Sequence, residues 1–149
     1  MVTASEDELA VDLEPFMTLR QAPMAMVAHV LYTAWDAERP SSQSPVVIED
    51  IIRGRIGFDG FLISDDSNMN ALEGTPGERA AACVDAGCDV ALPCNGVLAD
   101  NEDVANAVGE LSPIGRERLD RAMESVKDDL DGIDFAAAVD KRDTLLALA

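Results

Sequence analysis

Two adjacent carboxylates stand where an apolar stretch of the sequence stops. The run at 61–63 ends in the polar sequence SDDSN, which contains Asp65 and Asp66. Adjacent residues of an extended segment point to opposite sides, so we expect the two carboxylates to have different surroundings. They are either turn residues, for which Asp-Asp-Ser-Asn is suitable chemistry, or reactants in nucleophilic or acid–base catalysis.

Two other apolar runs also end in polar groups. His29 closes the run at 24–30, and Asn95 lies near the end of the run at 88–96. His29 is either a hydrogen-bonded core residue or part of a site, and Asn95-Gly96 is also an ordinary turn signal. In parallel α/β folds the carboxyl ends of the strands meet at the face that binds ligands. The polar ends of the three runs therefore predict a site at this edge of the sheet, which we call the rim. They do not indicate which reaction the site performs.

The elements that must position these groups alternate along the chain. Short apolar runs alternate with longer amphipathic stretches, which predicts an α/β fold with a parallel sheet. The predicted strands are 24–30, which we expect to be buried, 60–64 and 88–96. The predicted helices are 5–21, 44–57, 75–87, 100–110, 113–130 and 134–148. Ser5, Ser44 and Thr75 are the predicted N-caps, and Thr75 with Glu78 forms a capping box. We treat residues 1–149 as a single unit.

The charge of the chain restricts its partners. The 29 acidic residues against 11 basic ones give a formal net charge of −18. No basic cluster is available to displace counterions from phosphates, so we expect no nucleic-acid partner. The acidic excess is either a solvated surface, adapted to salt, or a patch that recruits a basic partner.

The cysteines and the N-terminus bear on compartment and cofactors. We expect Cys83, Cys88 and Cys94 to be buried core residues of a reducing compartment. C-x-x-C spacing is absent and His29 is the only histidine, so we expect no metal and no cofactor. The acidic N-terminus lacks a signal-peptide pattern, and no apolar run reaches the ~20 residues of a membrane span. These features predict a cytoplasmic protein with no membrane partner.

Several sequence motifs occur together in a recognisable order. They are AHV-Y at 28–32, R-P-S-S-Q-S-P at 39–45, IGFDG at 56–60, SDD-x-x-M ending at Met69, and AGCD with CN at 86–95. The stretch from about residue 9 to 130 resembles the second half of the family 3 glycoside hydrolases. It is most similar to the bacterial β-N-acetylglucosaminidases (β-hexosaminidases) of cell-wall recycling.

The resemblance implies a fold, a reaction and roles for residues. It implies a partial (β/α)₈ TIM barrel, about the last three βα units, followed by extra C-terminal helices. It also implies a retaining glycosidase that acts on N-acetylglucosamine-containing glycans, with Asp65 as the nucleophile and Asp66 as its orienting neighbour. We predict that the substrate-binding residues are His29, Asp66, Met69 and Asn95.

The sequence also departs from the family. The family's acid/base is a His held by an Asp on an upstream loop with a KHFPGHG…DSH pattern, and no segment of this sequence matches it. His29 belongs to a strand and cannot be carried over to that role. The family's usual Leu-Ser after the two Asp is here Ser67-Asn68. Loss of general acid catalysis alone costs ~10²–10⁴ in rate, so we expect the isolated chain to be weak or inactive.

Three interpretations remain open at the level of sequence. The chain is one half of a split barrel that needs an N-terminal partner. Alternatively, it is a non-catalytic remnant or interaction module that self-associates to cover its open sheet edges. In the third interpretation, Met1 lies inside a longer reading frame.

Overall fold

The structure is a computed structural model that describes residues 1–125 and 134–147. Its sheet has three strands in the order β1-β2-β3, with β1 at Met24–Val27, β2 at Phe61–Asp66 and β3 at Val90–Leu92. Both neighbouring pairs are parallel. The predicted α/β class and the parallel order of the strands are therefore confirmed.

Helices connect and follow the strands. A 3₁₀ turn at Ser41–Gln43 and a π-helix at Val46–Ile56 lie between β1 and β2. The α-helices are α1 at Glu6–Thr18, α2 at Pro76–Asp85, α3 at Leu98–Val108, α4 at Pro113–Glu124 and α5 at Phe135–Leu146. The last residues of the predicted helices 113–130 and 134–148 lie outside the described residues. None of the helices described here is long and apolar enough to cross a bilayer.

The predicted helix starts are confirmed by their hydrogen bonds. Ser5 and Thr75 each form a full capping box with the glutamate three residues later. The Ser44 hydroxyl accepts from the Val47 N–H at 3.2 Å. The helix that Ser44 introduces is of the wider π type, and it ends at Gly57, whose φ of 77° lies in the left-handed region. The start and end signals of this segment are thus correct, although its helix type was not predicted.

Two strands are shorter than predicted. β1 ends at Val27, and Met24 and Met26 are 37% and 56% exposed, so the expectation of a buried strand is wrong. Side chains alternate along a strand, and the helices cover only the face to which Val27 belongs. β3 spans only Val90–Leu92, and the chain continues into Pro93, which has no N–H for a ladder.

The core lies between the sheet and the helices. Val27 and Leu62 from the strands pack in one cluster with Ile48 of the π-helix and Cys83 of α2, all of them less than 5% exposed. Cys83 and Ala86 are the small residues on the α2 side of this cluster, where large side chains would hold the helix away from the sheet. The core therefore anchors β2 at Leu62, and the two carboxylates are the last two residues of that strand.

The cysteines divide into two kinds. Cys83 and Cys88 are buried, as predicted, and burial raises the pKa of the Cys88 thiol to about 12. Cys94 is exposed, so the prediction that it is buried is wrong. The chain leaves the sheet at Pro93, and Cys94 therefore lies on the loop that follows β3.

Asp36 organises the loop between β1 and the 3₁₀ turn. Its Oδ1 accepts from the N–H groups of Glu38 and Arg39 at 2.9 and 3.1 Å. Its Oδ2 accepts from the Ser44 hydroxyl at 2.7 Å and is 3.3 Å from Nε of Arg39. The side chain is only 8% exposed. One carboxylate therefore holds the loop against the start of the π-helix.

This arrangement predicts an acid-sensitive contribution to stability. Burial raises the pKa of Asp36, but the bonds from Glu38, Ser44 and Arg39 outweigh it and hold that pKa below 3.8. The native pKa is thus lower than the unfolded one, so the stabilisation is complete above the unfolded value and disappears as the pH falls through the native value. We expect the difference in thermal midpoint between wild type and Asp36→Asn to be constant above about pH 5 and to shrink below about pH 4. A difference that grows on acidification would contradict this expectation.

Candidate active site

The two carboxylates occupy the last two positions of β2. The prediction placed them after the strand, but β2 runs through Asp66 because it continues to pair with β3. Between the pairs Ile63–Val90 and Asp66–Leu92, β2 advances by three residues while β3 advances by two. Asp65 therefore lies on a β-bulge, a feature that re-aims side chains and occurs often next to active sites.

Asp65 keeps part of its carboxylate free of protein partners. The residue is half-buried, and Oδ1 accepts from the N–H of Asp66 at 2.8 Å. No side chain in the described ranges forms a hydrogen bond or an ion pair with the carboxylate of Asp65. A carboxylate that is held at one oxygen and open at the other is suited to attack an electrophile.

Asp66 is instead tied to its surroundings. Its Oδ1 accepts from the N–H of Asn68 at 3.0 Å and from the N–H of Cys94 at 3.1 Å. Its backbone carbonyl accepts from Nε2 of His29 at 3.0 Å. Asp66 thus joins the loops after all three strands, and the expectation of different surroundings for the two carboxylates agrees with these contacts.

Both ring nitrogens of His29 form hydrogen bonds with other residues of the rim. It follows β1 by two residues, and its Nδ1 lies 2.6 Å from the hydroxyl of Ser42. The carbonyl of Asp66 can only accept, so we assign the proton to Nε2 and let Nδ1 accept from Ser42. Both ring nitrogens are therefore occupied by the protein, and substrate contact by His29 stays a prediction.

The other two predicted substrate residues form no hydrogen bond with the carboxylates in the part of the chain that the structure describes. The NH₂ group of Asn95 donates to Asp100 in the first turn of α3, and its Oδ1 accepts from the N–H of Val97. Met69 is 45% exposed, and only its backbone N–H reaches Asp66, at 3.0 Å. The structure thus joins His29, Asp66 and the loop after β3, while Asn95 and Met69 stay predictions as substrate residues.

Sequence reasoning missed three residues that build the rim. Ser42 holds His29, Ser64 bonds to the backbone at the bulge, and Asn68 accepts from the N–H of Cys94 at 2.9 Å. The available signal was the Asp-x-Asn spacing of 66–68, because short Asx side chains bond to nearby backbone groups. Nothing in the sequence showed that the side chain of Asn68 would accept from a backbone N–H 26 residues away along the chain.

The surroundings of Asp65, Asp66 and Cys94 are negatively charged. Loss of hydration and then the neighbouring charges of Asp66 and Asp65 raise the pKa of the Cys94 thiol. Such a field favours the development of positive charge on a bound group. No group of three or more His, Cys, Asp or Glu side chains that could hold a metal ion occurs in the part of the chain that the structure describes.

Ser67 is the least satisfied polar group near the site. The residue is 1% exposed, its N–H donates to the carbonyl of Leu92 at 2.9 Å, and its hydroxyl has no partner among the described residues. We expect Ser67→Ala to raise the free energy of unfolding by about 1 kcal/mol, because it removes an unpaired buried hydroxyl. Urea unfolding of the two proteins measures this difference.

Ser42→Ala is the matched control for that substitution. Ser42 is also fully buried, but its hydroxyl bonds to His29, so its removal should lower the free energy of unfolding. A Ser67→Ala protein less stable than wild type would show that the hydroxyl of Ser67 has a partner.

Comparison with known proteins decides the family. The family model described as "Glycosyl hydrolase family 3 N terminal domain" matches residues 1–128. The chain belongs to this family. This confirms the resemblance carried by the motifs, and the three-stranded parallel sheet is consistent with the barrel-like domain of family 3.

Two curated relatives of this chain are β-hexosaminidases. A β-hexosaminidase from Chromobacterium violaceum is 43% identical in an alignment of 136 positions, which covers 85% of this chain and 38% of that protein. A β-hexosaminidase from Neisseria gonorrhoeae is 34% identical over 82% of this chain and 38% of its own. The chain thus spans less than half the length of these family 3 relatives.

This chain also resembles solved structures and spans only a minority of their length. NagZ from Neisseria gonorrhoeae, in complex with N-trifluoroacetyl-D-glucosamine, superposes with a TM-score of 0.67 at 32% identity, over 80% of this chain and 35% of that one. A family 3 β-N-acetylglucosaminidase from Paenibacillus sp. gives a TM-score of 0.67 at 30% identity, over 83% of this chain and 25% of that one.

Proposed function

We propose that this chain supplies the nucleophile to a retaining β-N-acetylglucosaminidase, which removes terminal β-linked N-acetylglucosamine from peptidoglycan-derived fragments. The observation that carries the proposal is the half-free carboxylate of Asp65 on the bulge at the end of β2. The names of the family 3 relatives support the sugar. The free thiols of Cys83 and Cys88 support a reducing, cytoplasmic location.

The proposed chemistry is the retaining mechanism that the family resemblance implies, with Asp65 as the attacking carboxylate. Asp65 attacks the anomeric carbon, the bond to the leaving oxygen breaks, and a general acid protonates that oxygen. Water then attacks the glycosyl–Asp65 ester and releases the sugar with its configuration retained. The transition state of this reaction carries positive charge on the sugar ring.

We infer that the general acid comes from another segment of protein, because the family resemblance implies a histidine in that role. His29 is the only histidine of the chain, and both of its nitrogens are engaged. We therefore propose that the chain forms about the last three βα units of a barrel. An N-terminal half-barrel, in the same polypeptide or in a separate one, supplies the acid and the remaining subsites.

The open edge of the sheet supports this proposal. Within residues 1–125 and 134–147, β1 pairs on one side only, with β2, and Met24 and Met26 are exposed on it. An apolar groove of about 400 Å³ runs beside the strand, and Phe16 of α1, which is 60% exposed, contributes to its lining. A strand added to this edge would satisfy the backbone of β1 and cover the apolar side chains.

Complementation tests the proposed function. The part of the Chromobacterium violaceum β-hexosaminidase that this chain does not match is produced separately and mixed with residues 1–149. We expect the mixture to cleave 4-nitrophenyl N-acetyl-β-D-glucosaminide faster than the sum of the two parts alone. A mixture no faster than its parts, with residues 1–149 self-associating in sedimentation, would instead favour the non-catalytic interaction module.

A pair of methionine variants tests the docking edge. Met26→Lys places a charge on the exposed face of β1, where the incoming half would desolvate it, and should weaken complementation by ~tenfold or more in Kd. Met123→Lys is the matched control, because Met123 is 52% exposed and lies on the helix α4 rather than on the edge strand. Equal effects of the two substitutions would place the docking surface elsewhere.

A further inference from the structure

The bulge that carries Asp65 is held at both ends by one residue of β3. The N–H of Leu92 donates to the hydroxyl of Ser64 at 3.1 Å, and its carbonyl accepts from the N–H of Ser67 at 2.9 Å. Asp65 and Asp66 lie between these two bonds. The extra residue of β2 is therefore bracketed by Leu92, which makes the bulge a defined structure rather than a loose strand end.

The hydroxyl of Ser64 takes the place of a backbone group in this ladder. It accepts from Leu92 and donates its own proton to the backbone carbonyl of Asp65 at 2.7 Å. Ser64 is 0% exposed, so water does not compete for either bond. A single buried side chain thus connects β3 to the main chain of the nucleophile candidate.

We propose that Ser64 is a positioning residue for Asp65 in the glycosidase reaction. Its hydroxyl holds open the bulge that aims the Asp65 carboxylate, and this role rests on the function proposed above. A β-strand turns each side chain to the opposite face when its register slips by one residue. Loss of the bulge would therefore redirect Asp65 without removing it.

Two substitutions separate this role from ordinary packing. Ser64→Ala removes both hydrogen bonds, and Ser64→Thr retains the hydroxyl. Ser44→Ala is the matched control: Ser44 is also 0% exposed, and its hydroxyl donates to Asp36 and accepts from Val47, far from the bulge in the hydrogen-bond network. Ser64→Ala and Ser44→Ala thus remove the same number of buried bonds.

The first readout uses residues 1–149 alone. In Ser64→Ala, amide hydrogen exchange at Leu92 should be about tenfold faster than in wild type, because its acceptor is gone. The amide proton resonance of Asp66, which donates to Asp65, should also shift. Ser44→Ala should leave both signals unchanged. Unchanged signals in Ser64→Ala, or equal changes in Ser44→Ala, overturn the inference.

The second readout uses the complemented enzyme. Misplacement of a reacting group by about 1 Å costs ~10²-fold, so Ser64→Ala should lower kcat by ~10²-fold with little change in KM. Ser64→Thr should recover most of that loss, and Ser44→Ala should not reproduce it. An equal loss of kcat in Ser44→Ala would reduce Ser64 to a packing residue. An inactive wild-type complement would overturn the proposed function, while exchange at Leu92 would still decide whether the hydroxyl holds the bulge.

Discussion

Replacement of Asp65 by Asn should abolish glycosidase activity in the complemented enzyme while leaving the fold intact. The amide cannot form the glycosyl ester, so kcat should fall by ~10³-fold or more. Among the described residues, the side chain forms one hydrogen bond, from the N–H of Asp66, and the Oδ1 of Asn accepts the same bond. The thermal midpoint should therefore stay close to that of wild type. Chromogenic assays and thermal scans on the same preparations measure both quantities.

Asp66→Asn is the control for that substitution. Asp66 uses Oδ1 to accept from Asn68 and Cys94, and an amide oxygen can replace it in both bonds. We expect this variant to lose less than ~tenfold in kcat, since only the charge assistance to two backbone bonds is weakened. If Asp66→Asn were the more damaging change, the nucleophile would be Asp66 and the roles of the pair would be exchanged.

Replacement of Asp89 by Ala should be among the most destabilising single changes in the chain. Its carboxylate is 3% exposed and accepts from Arg53 at 3.2 Å, from Arg118 at 3.1 Å and from the N–H of Leu62 at 2.8 Å. Removing it leaves the guanidinium of Arg53, only 11% exposed, without this charge. We expect a loss of ~3–5 kcal/mol in the free energy of unfolding, measured by urea titration.

Asp59 provides the comparison within the same ion network. It pairs with Arg118 at 3.1 Å and with Arg121 at 3.0 Å, but its side chain is 71% exposed. Asp59→Ala should therefore cost about 0–1 kcal/mol, the range of surface ion pairs. A similar loss from both alanine variants would mean that burial does not set the strength of this network.

Asp89 also lies at the opposite end of the sheet from the site. It begins the approach to β3, and its bond to the N–H of Leu62 fixes the start of β2. Arg118 brings α4 to the same point. The bulge at the other end of β2 requires that β2 keep its register. An engineered half-barrel should therefore retain Asp89 and its arginine partners.

Much of the local structure was predictable because its causes are local. The capping boxes at Ser5 and Thr75 form between residues three apart, so their sequence pattern is sufficient. The parallel order of the strands followed from the alternation of apolar runs with helices. The family followed from motifs in order, and the match over residues 1–128 confirms it.

The errors came from contacts between distant segments. The burial of Met24 and Met26 was predicted from an apolar run, but exposure depends on whether a second layer covers that face of the sheet. The π-helix at Val46–Ile56 carries the same amphipathic pattern as an α-helix. Cys94 resembles the buried cysteines in its neighbours and is exposed because Pro93 ends the ladder.

By itself, the sequence determined the elements, the family and the identity of Asp65 as the nucleophile candidate. Only the tertiary structure decided that Asp65 lies on a bulge and that Asp66 and His29 are engaged in holding the rim. It also decided that Asp89 is a buried partner of two arginines. The physical reason is that a side chain's role depends on which groups it meets, and here those groups lie 26 to 37 residues away along the chain.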